Sequence, residues 1–283
     1  DEIDEGESGI IVLDRTCFYG EGGGQVGDSG ILFGANSTFQ VLDTKKSVNS
    51  HFMHIGEMKA GMIRVGDELT AEIDSLRRDS IMRNHSACHL LQAALREVLG
   101  THVHQSGSYV DETLCRFDFS HFSAMTSEEI ARVENIVNDM ILAALPVTVE
   151  TMSQDEAKAK GAMALFGEKY GDAVRVVDMG GRSIELCGGT HVDNTSRVGL
   201  FKIVKESSIA AGVRRIEAVT GRGVLGLIDA DRHLMDMACE ALKVGSHAEL
   251  PGKAAAVVAE LKAKDKEIEE INGKLASMQT QAL

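Results

Sequence analysis

Two short stretches of this sequence hold residue types that bind metals. His85-Ser86-Ala87-Cys88-His89 sets two imidazoles four residues apart, and on a helix both would face one side about a turn apart. Cys187-Gly188-Gly189-Thr190-His191 sets a thiol and an imidazole on a glycine-rich turn. His85, His89, Cys187 and His191 together make an N₃S donor set suited to tetrahedral Zn²⁺. The thiolate would leave such a site a net charge of about +1. Each imidazole must offer one neutral nitrogen while an outer partner, not identifiable from spacing, holds the other. Each motif has a plainer reading: a paired HxxxH alone is a weak signal, and a lone Cys is more often a small buried hydrophobe. The five Cys are irregularly spaced, as in a reducing cytosol rather than a disulfide framework. In that setting the two motifs together favour the metal.

The elements that must position these groups follow from periodicity. Residues 1–76 read as all-β. Short runs at 9–14, 30–33, 38–42, 51–55 and 68–73 are separated by Gly, Asn and Ser turns, which points to a small barrel or sandwich. A helix is expected over about 75–99, with Gly100 where a C-cap belongs. Strands are expected at 105–111, 113–119, 147–152, 173–179, 182–186, 198–205 and 213–219. Capping boxes at Thr126-Ser127-Glu128-Glu129 and Ser153-Gln154-Asp155-Glu156 open two more helices, the first ending before Pro146. From Ala254 the residues Val257, Leu261, Lys264, Ile268, Ile271, Leu275, Met278 and Ala282 keep heptad spacing with one polar break. Val244-Gly245-Ser246-His247 and Pro251-Gly252 read as a linker before that seam. The fold class is therefore α+β: a small N-terminal β-barrel (1–76), an α/β-sandwich core carrying the metal site (77–225) and a helical, coiled-coil-like tail (226–283).

Four motifs, taken in chain order, resemble the editing region of bacterial alanyl-tRNA synthetases. They are Phe18-Tyr19-Gly20-Glu21-Gly22-Gly23-Gly24-Gln25-Val26-Gly27-Asp28-Ser29-Gly30, then HSACH, then Arg116-Phe117-Asp118-Phe119-Ser120-His121, then CGGTHV. The resemblance covers nearly the whole chain. The second editing domain of threonyl-tRNA synthetases and the stand-alone alanyl-tRNA editing proteins are similar in the metal motifs, but the heptad tail favours the alanyl family. The resemblance implies zinc held by His85, His89, Cys187 and His191, with Gln105 and Cys187 as catalytic candidates. It implies a pocket in which Gln105 discriminates the mischarged amino acid, and a loop 20–30, with Gly22, Gly23, Gly24 and Gln25, lining the way in. Ser86 and Cys88 are further polar candidates for that pocket. The implied reaction is hydrolysis of the ester in Ser-tRNA(Ala) and Gly-tRNA(Ala). The implied partner is the tRNA(Ala) acceptor end, in the cytoplasm, with no membrane and with self-association through the tail left open. A full-length enzyme of that family attaches alanine in an ATP-dependent reaction, in a core upstream of these motifs. The family often has Pro where Cys17 stands and Thr where Cys88 stands, so the fine selectivity stays open.

Elementary energetics support a second site of this kind. A pocket for alanine rejects glycine poorly, because one missing methyl is worth only about 1–3 kcal/mol, and it rejects an added hydroxyl poorly as well. A polar pocket can instead select serine, since a buried polar group that alanine leaves unpaired costs about 1–3 kcal/mol. Four protein ligands, however, leave no open metal position, which is the mark of a structural site. A tRNA-binding or oligomerisation module with structural zinc, and a stand-alone trans-editing hydrolase, are therefore the alternatives.

Composition narrows the remainder. With 29 Lys and Arg against 43 Asp and Glu, the 283-residue chain has net charge −14 and is no general polycation for nucleic acid. Arg77, Arg78, Arg83, Lys202, Lys205, Arg214, Arg215 and Arg222 read equally well as phosphate contacts or solvated surface. Phe18 and Tyr19 could stack on a terminal base but suit a core; Glu21 reads as a base or a loop cap. His102 and His104 share one strand face that need not be the pocket's. No apolar run nears the roughly 20 residues of a membrane helix. The acidic opening at Asp1 has neither Met nor signal peptide and reads as a piece of a longer protein.

Overall fold

The computed structural model describes residues 2–49, 51–163 and 171–281. Two compact units make up the chain, Asp1–Val224 and Leu225–Leu283.

The first unit opens with seven strands: β1 (Glu2–Asp4), β2 (Ser8–Val12), β3 (Gly30–Phe33), β4 (Thr38–Lys46), β5 (Phe52–Ala60), β6 (Met62–Arg64) and β7 (Thr70–Ile73). Five form an antiparallel sheet in the order β2-β5-β4-β3-β7, and the two three-residue strands β1 and β6 pair separately. Alternation buries Leu32, Phe39, Val41 and Met58 on one face, together with Phe18. The expected barrel is corrected here to an open sheet: among the described residues no ladder joins edge strands β2 and β7. Runs of this length show that strands exist, but closure depends on pairings between distant edges.

Helix α1 (Ser75–Leu99) follows, capped at its start by Asp74, whose side chain accepts from the Arg77 N–H. Gly100, at φ +115°, ends it where the sequence placed the cap. Next come β8 (Gln105–Val110), β9 (Cys115–Ser120), α2 (Ser127–Leu142), β10 (Val147–Ser153), α3 (Gln154–Ala159), β11 (Ala173–Met179), β12 (Ile184–Leu186), β13 (Phe201–Ala210) and β14 (Val213–Thr220). Both expected capping boxes are formed, Thr126 with Glu129 and Ser153 with Glu156. The strands make two antiparallel sheets, β13-β14-β9-β8 and β10-β11-β12, so the α+β reading holds. Ile81, Leu90, Leu91 and Leu95 of α1, Val133, Val137 and Ile141 of α2, Phe117 and Phe119 of β9 and Ile216 of β14 share one core.

The second unit holds most of α4 (Arg222–Leu242) and α5 (Leu250–Gln281). The linker expectation holds for 244–247, which lie between α4 and α5, and is corrected for Pro251-Gly252: α5 begins at Leu250 and takes them into its first turn, where a missing N–H breaks no helical bond. Leu261, Ile268, Ile271, Leu275 and Met278 of the heptad seam are about half exposed or more. Ala282 lies outside the described residues. Among the described residues no helix is long and apolar enough to cross a membrane.

Candidate metal centre

Helix α1 supplies His85 and His89 from a stretch enclosed on every side, since each residue from 84 to 92 is buried. The other half comes from the turn after β12. Cys187 N donates to Arg175 O at 3.0 Å. The Arg175 guanidinium on β11 donates back to the carbonyls of Cys187 at 2.6 Å and Gly189 at 2.8 Å. One cation thus pins both ends of the short turn. Gly189 is required by close approach: a Cβ there would overlap the His85 ring and come within 2.8 Å of Gln25 Oε1.

These elements bring His85, His89, Cys187 and His191 together, with their ligand atoms all within 4.8 Å of one another. Cys187 Sγ lies 3.5 Å from His85 Nε2 and 3.3 Å from His191 Nε2. A tetrahedral ion with metal–nitrogen bonds of about 2.0–2.1 Å and a metal–sulfur bond of about 2.3 Å imposes an N···S edge of about 3.5 Å. Nδ1 of His85 donates to Gln25 Oε1 at 2.7 Å, and Nδ1 of His191 to Ser86 Oγ at 3.2 Å. Both rings therefore turn an Nε2 lone pair toward Cys187. Nδ1 of His89 is buried without a hydrogen bond, and Glu185 Oε2 stands 3.5 Å from it. The donor set fits a tetrahedral divalent ion.

The electrostatics agree. Burial first, and then the neighbouring His89 and Arg175, hold the His85 imidazole well below its ordinary value. Burial and then His85, His89 and Arg175 do the same for His191. Burial and then Arg175 push His89 down to about 3. The three rings are thus neutral donors. Contact with Cys115 and then burial push the Cys88 thiol well above its ordinary value, so it stays protonated beside the ligands. Burial lifts the Glu185 carboxyl to about 7, against the pull of Ser183 and Arg96.

A cavity of about 60 Å³ opens against three of the four donors, lined by Gly23, Cys88, Gln105, Ser108, Glu185, Leu186 and Gly188 with His85, His89 and Cys187. It exceeds the roughly 10–15 Å³ that one water needs. Gln105 Nε2 donates to Ser108 Oγ at 3.1 Å on the cavity wall. Of the expected pocket residues, Cys88, Gln105 and Gly23 lie on that wall. Gly22 does not line it, facing Tyr19 and Gly20, and Gly24, at φ +80°, packs against Ser108 with no room for a Cβ beside its carbonyl.

Gln25 and Ser86 sit behind the ligands instead. Gln25 is fully buried, accepts from His85 and from the Thr190 N–H, and donates to Thr190 Oγ1. Ser86 Oγ accepts from His191 and from the Val192 N–H. These two side chains are the outer partners that spacing left unidentified. The glycine-rich loop reaches the site because Asp28 ties it to α1, accepting from Tyr19 N at 2.6 Å and Arg78 Nε at 2.9 Å. Hydrogen bonds of Val26 N to Val110 O and Val110 N to Gly24 O lay the loop along β8.

Other expected residues lie elsewhere. Phe18 is core, edge-on to His54. The Tyr19 hydroxyl donates to Gly22 O. Glu21 pairs with Lys45. His102 meets His121 at 3.0 Å, and neither it nor His104 lines the cavity. Cys17 is exposed. Several cations are engaged within the protein: Arg77 with Glu112, Arg78 with Asp28, Lys202 with Glu134, Arg214 with Glu206 and Arg215 with Asp118. Lys205 and Arg222 are exposed. Sequence reasoning missed Glu185, Ser108 and Arg175. A signal for Glu185 existed, since it stands two residues before Cys187 at a strand end and so on the same face.

Two family profiles match the chain. Residues 174–217 match the threonyl and alanyl tRNA synthetase second additional domain, and residues 1–77 match the class II (A) tRNA synthetases. Over 98% of its length the chain is 53% identical to an alanine–tRNA ligase of Methylobacillus flagellatus, of which it covers 32%. It is 50% identical over 98% to that of Acetivibrio thermocellus, covering 31%. It is 46% identical over its full length to that of Bacillus velezensis, covering 32%. The chain thus spans about a third of the length of the curated relatives it matches.

Proposed function

From a chain homologous over nearly its whole length to a segment of the alanine–tRNA ligases, we propose a proofreading hydrolase that removes serine or glycine from mischarged tRNA(Ala). The observation that carries this reading is the cluster of His85, His89, Cys187 and His191, three of which border a small cavity that Gln105 and Cys88 also line. The ion is zinc, which suits an N₃S donor set and would polarise the ester carbonyl or lower the pKa of a bound water toward ~7. Gln105 and Cys88 offer polar atoms to the aminoacyl group. A serine hydroxyl gains a hydrogen bond there that alanine cannot make, and glycine enters by its small size. Gly23 lets the loop backbone come close to the terminal nucleotide. Cys187 holds the ion, and Gln105 orients the ester beside it. In this reading the parts are 1–76, a β domain; 77–225, the deacylase; and 226–283, the start of an oligomerisation region. The longer enzyme charges alanine with ATP, works in the cytoplasm and takes tRNA(Ala) as its partner.

Deacylation of serine-charged tRNA(Ala) by this chain, with Cys187→Ala as control, tests the reading. Hydrolysis of the serine and glycine esters, with the alanine ester spared, is the expected result. No hydrolysis above the Cys187→Ala control would sink it. One observation favours a second reading: four protein donors close a tetrahedral site, as in structural zinc. In that case the chain binds tRNA without hydrolysis and unfolds when zinc is removed.

A further inference from the structure

We infer that Glu185 is a positioning residue of the metal centre: its carboxyl oxygen accepts a hydrogen bond from the Nδ1–H of His89 and so aims Nε2 of that ring at the ion. The inference rests on the metal reading above and adds a residue that the donor set does not include.

The three imidazoles are supported unequally. His85 and His191 have neutral acceptors at Nδ1, Gln25 and Ser86. His89 has none within hydrogen-bond distance, although its Nδ1 is buried. A buried N–H left without an acceptor is costly, and a ring bound through Nε2 must carry its proton on Nδ1. The acceptor poised for it is Glu185 Oε2, 3.5 Å away. That is slightly too long for a hydrogen bond, and a small turn of either side chain closes it.

The rest of the Glu185 environment leaves this oxygen available. Ser183 Oγ donates to the other oxygen, Oε1, at 2.6 Å. Glu185 is 5% exposed, so solvent does little to satisfy it. On β12 it pairs with Val177, and strand alternation sends it to the face that carries Cys187 two residues on.

The test measures metal binding by the whole chain, not hydrolysis. Affinity for Co²⁺ and Zn²⁺ is determined by competition with a chromophoric chelator for wild type, Glu185→Gln, Glu185→Asp and Ser183→Ala. Removal of such an outer carboxylate costs about 10–100-fold in metal affinity, and that loss is expected for Glu185→Gln, the near-isosteric variant. The Co²⁺ spectrum should stay four-coordinate, with partial recovery in Glu185→Asp and a smaller loss in Ser183→Ala. In ¹⁵N-histidine spectra of the zinc-loaded chain, one downfield Nδ1–H resonance should be lost in Glu185→Gln and regained in Glu185→Asp. Wild-type affinity together with an unchanged Nδ1–H resonance in Glu185→Gln would overturn the inference. Failure of the wild type to bind metal would overturn both it and the metal reading. Absence of deacylation with metal affinity lowered as expected would sink the hydrolase reading alone.

Discussion

Gly189 illustrates how narrowly single residues constrain the metal centre. Its neighbour Gly188 has nothing within 4 Å of where a Cβ would lie, whereas at Gly189 a methyl would strike the His85 ring. Gly189→Ala should therefore abolish stoichiometric metal binding while Gly188→Ala retains it. Elemental analysis of the two purified variants checks this, and equal metal content would contradict the geometry. The same crowding explains why glycine stands directly before Thr190: the turn passes against an imidazole and against the Gln25 amide oxygen, which accepts from both His85 and the Thr190 N–H. Residue types alone identified the four donors. They did not reveal that Gln25 and Ser86 face the rings' outer nitrogens, because a Gln in a glycine-rich loop and a Ser inside HSACH carry no spacing signal that separates a support from a pocket wall.

At the scale of elements, the strand that carries His54 couples the N-terminal sheet to pH. His54 on β5 is fully buried, with Nδ1 toward Ile11 O at 2.9 Å and Nε2 toward Thr16 Oγ1 at 2.8 Å. A neutral ring satisfies both contacts, donating to the carbonyl and accepting from the hydroxyl. Burial lowers its pKa below the ordinary 6.5, outweighing the upward pull of the Ile11 carbonyl. The folded state then binds fewer protons than the unfolded state below that value, so stability falls as pH drops through it. Urea denaturation followed between about pH 7.5 and 5.5 should show a falling midpoint, and His54→Gln should flatten that slope. An identical slope in both proteins would show that another group controls it. Helix α1 and the two capping boxes were legible because start and stop signals are local. The open sheet was not, since closure is decided between edges that lie far apart in sequence.

Over the whole molecule, the centre links positions about a hundred residues apart, from His85 on α1 to His191 after β12. A metal held by these four side chains would bind the folded arrangement and not a chain that has lost it, so chelation should lower the thermal midpoint of the chain. Metal present at a thousand times its dissociation constant contributes about 4 kcal/mol, an upper guide to the loss. Calorimetry with and without chelator measures it. No shift, in a chain shown to carry stoichiometric metal, would mean that the bound ion does not link the two motifs. The stripe of half-exposed apolar residues along α5 belongs to a separate unit and should melt independently of the metal.

What the sequence by itself determined were the features read within a few residues: the donor types, the helix that holds two of them, the glycine turn that holds the others, and the family resemblance built from those motifs. Tertiary structure alone decided which polar side chains stand in front of the donors and which behind. It placed Glu185 and Arg175 against the site, left the β-sheet open, and carried α5 back to Leu250. The physical reason is range. Helix caps, strand alternation and turn glycines are fixed by neighbours along the chain, whereas a buried hydrogen-bond partner is whichever group the packing of several elements delivers to that point.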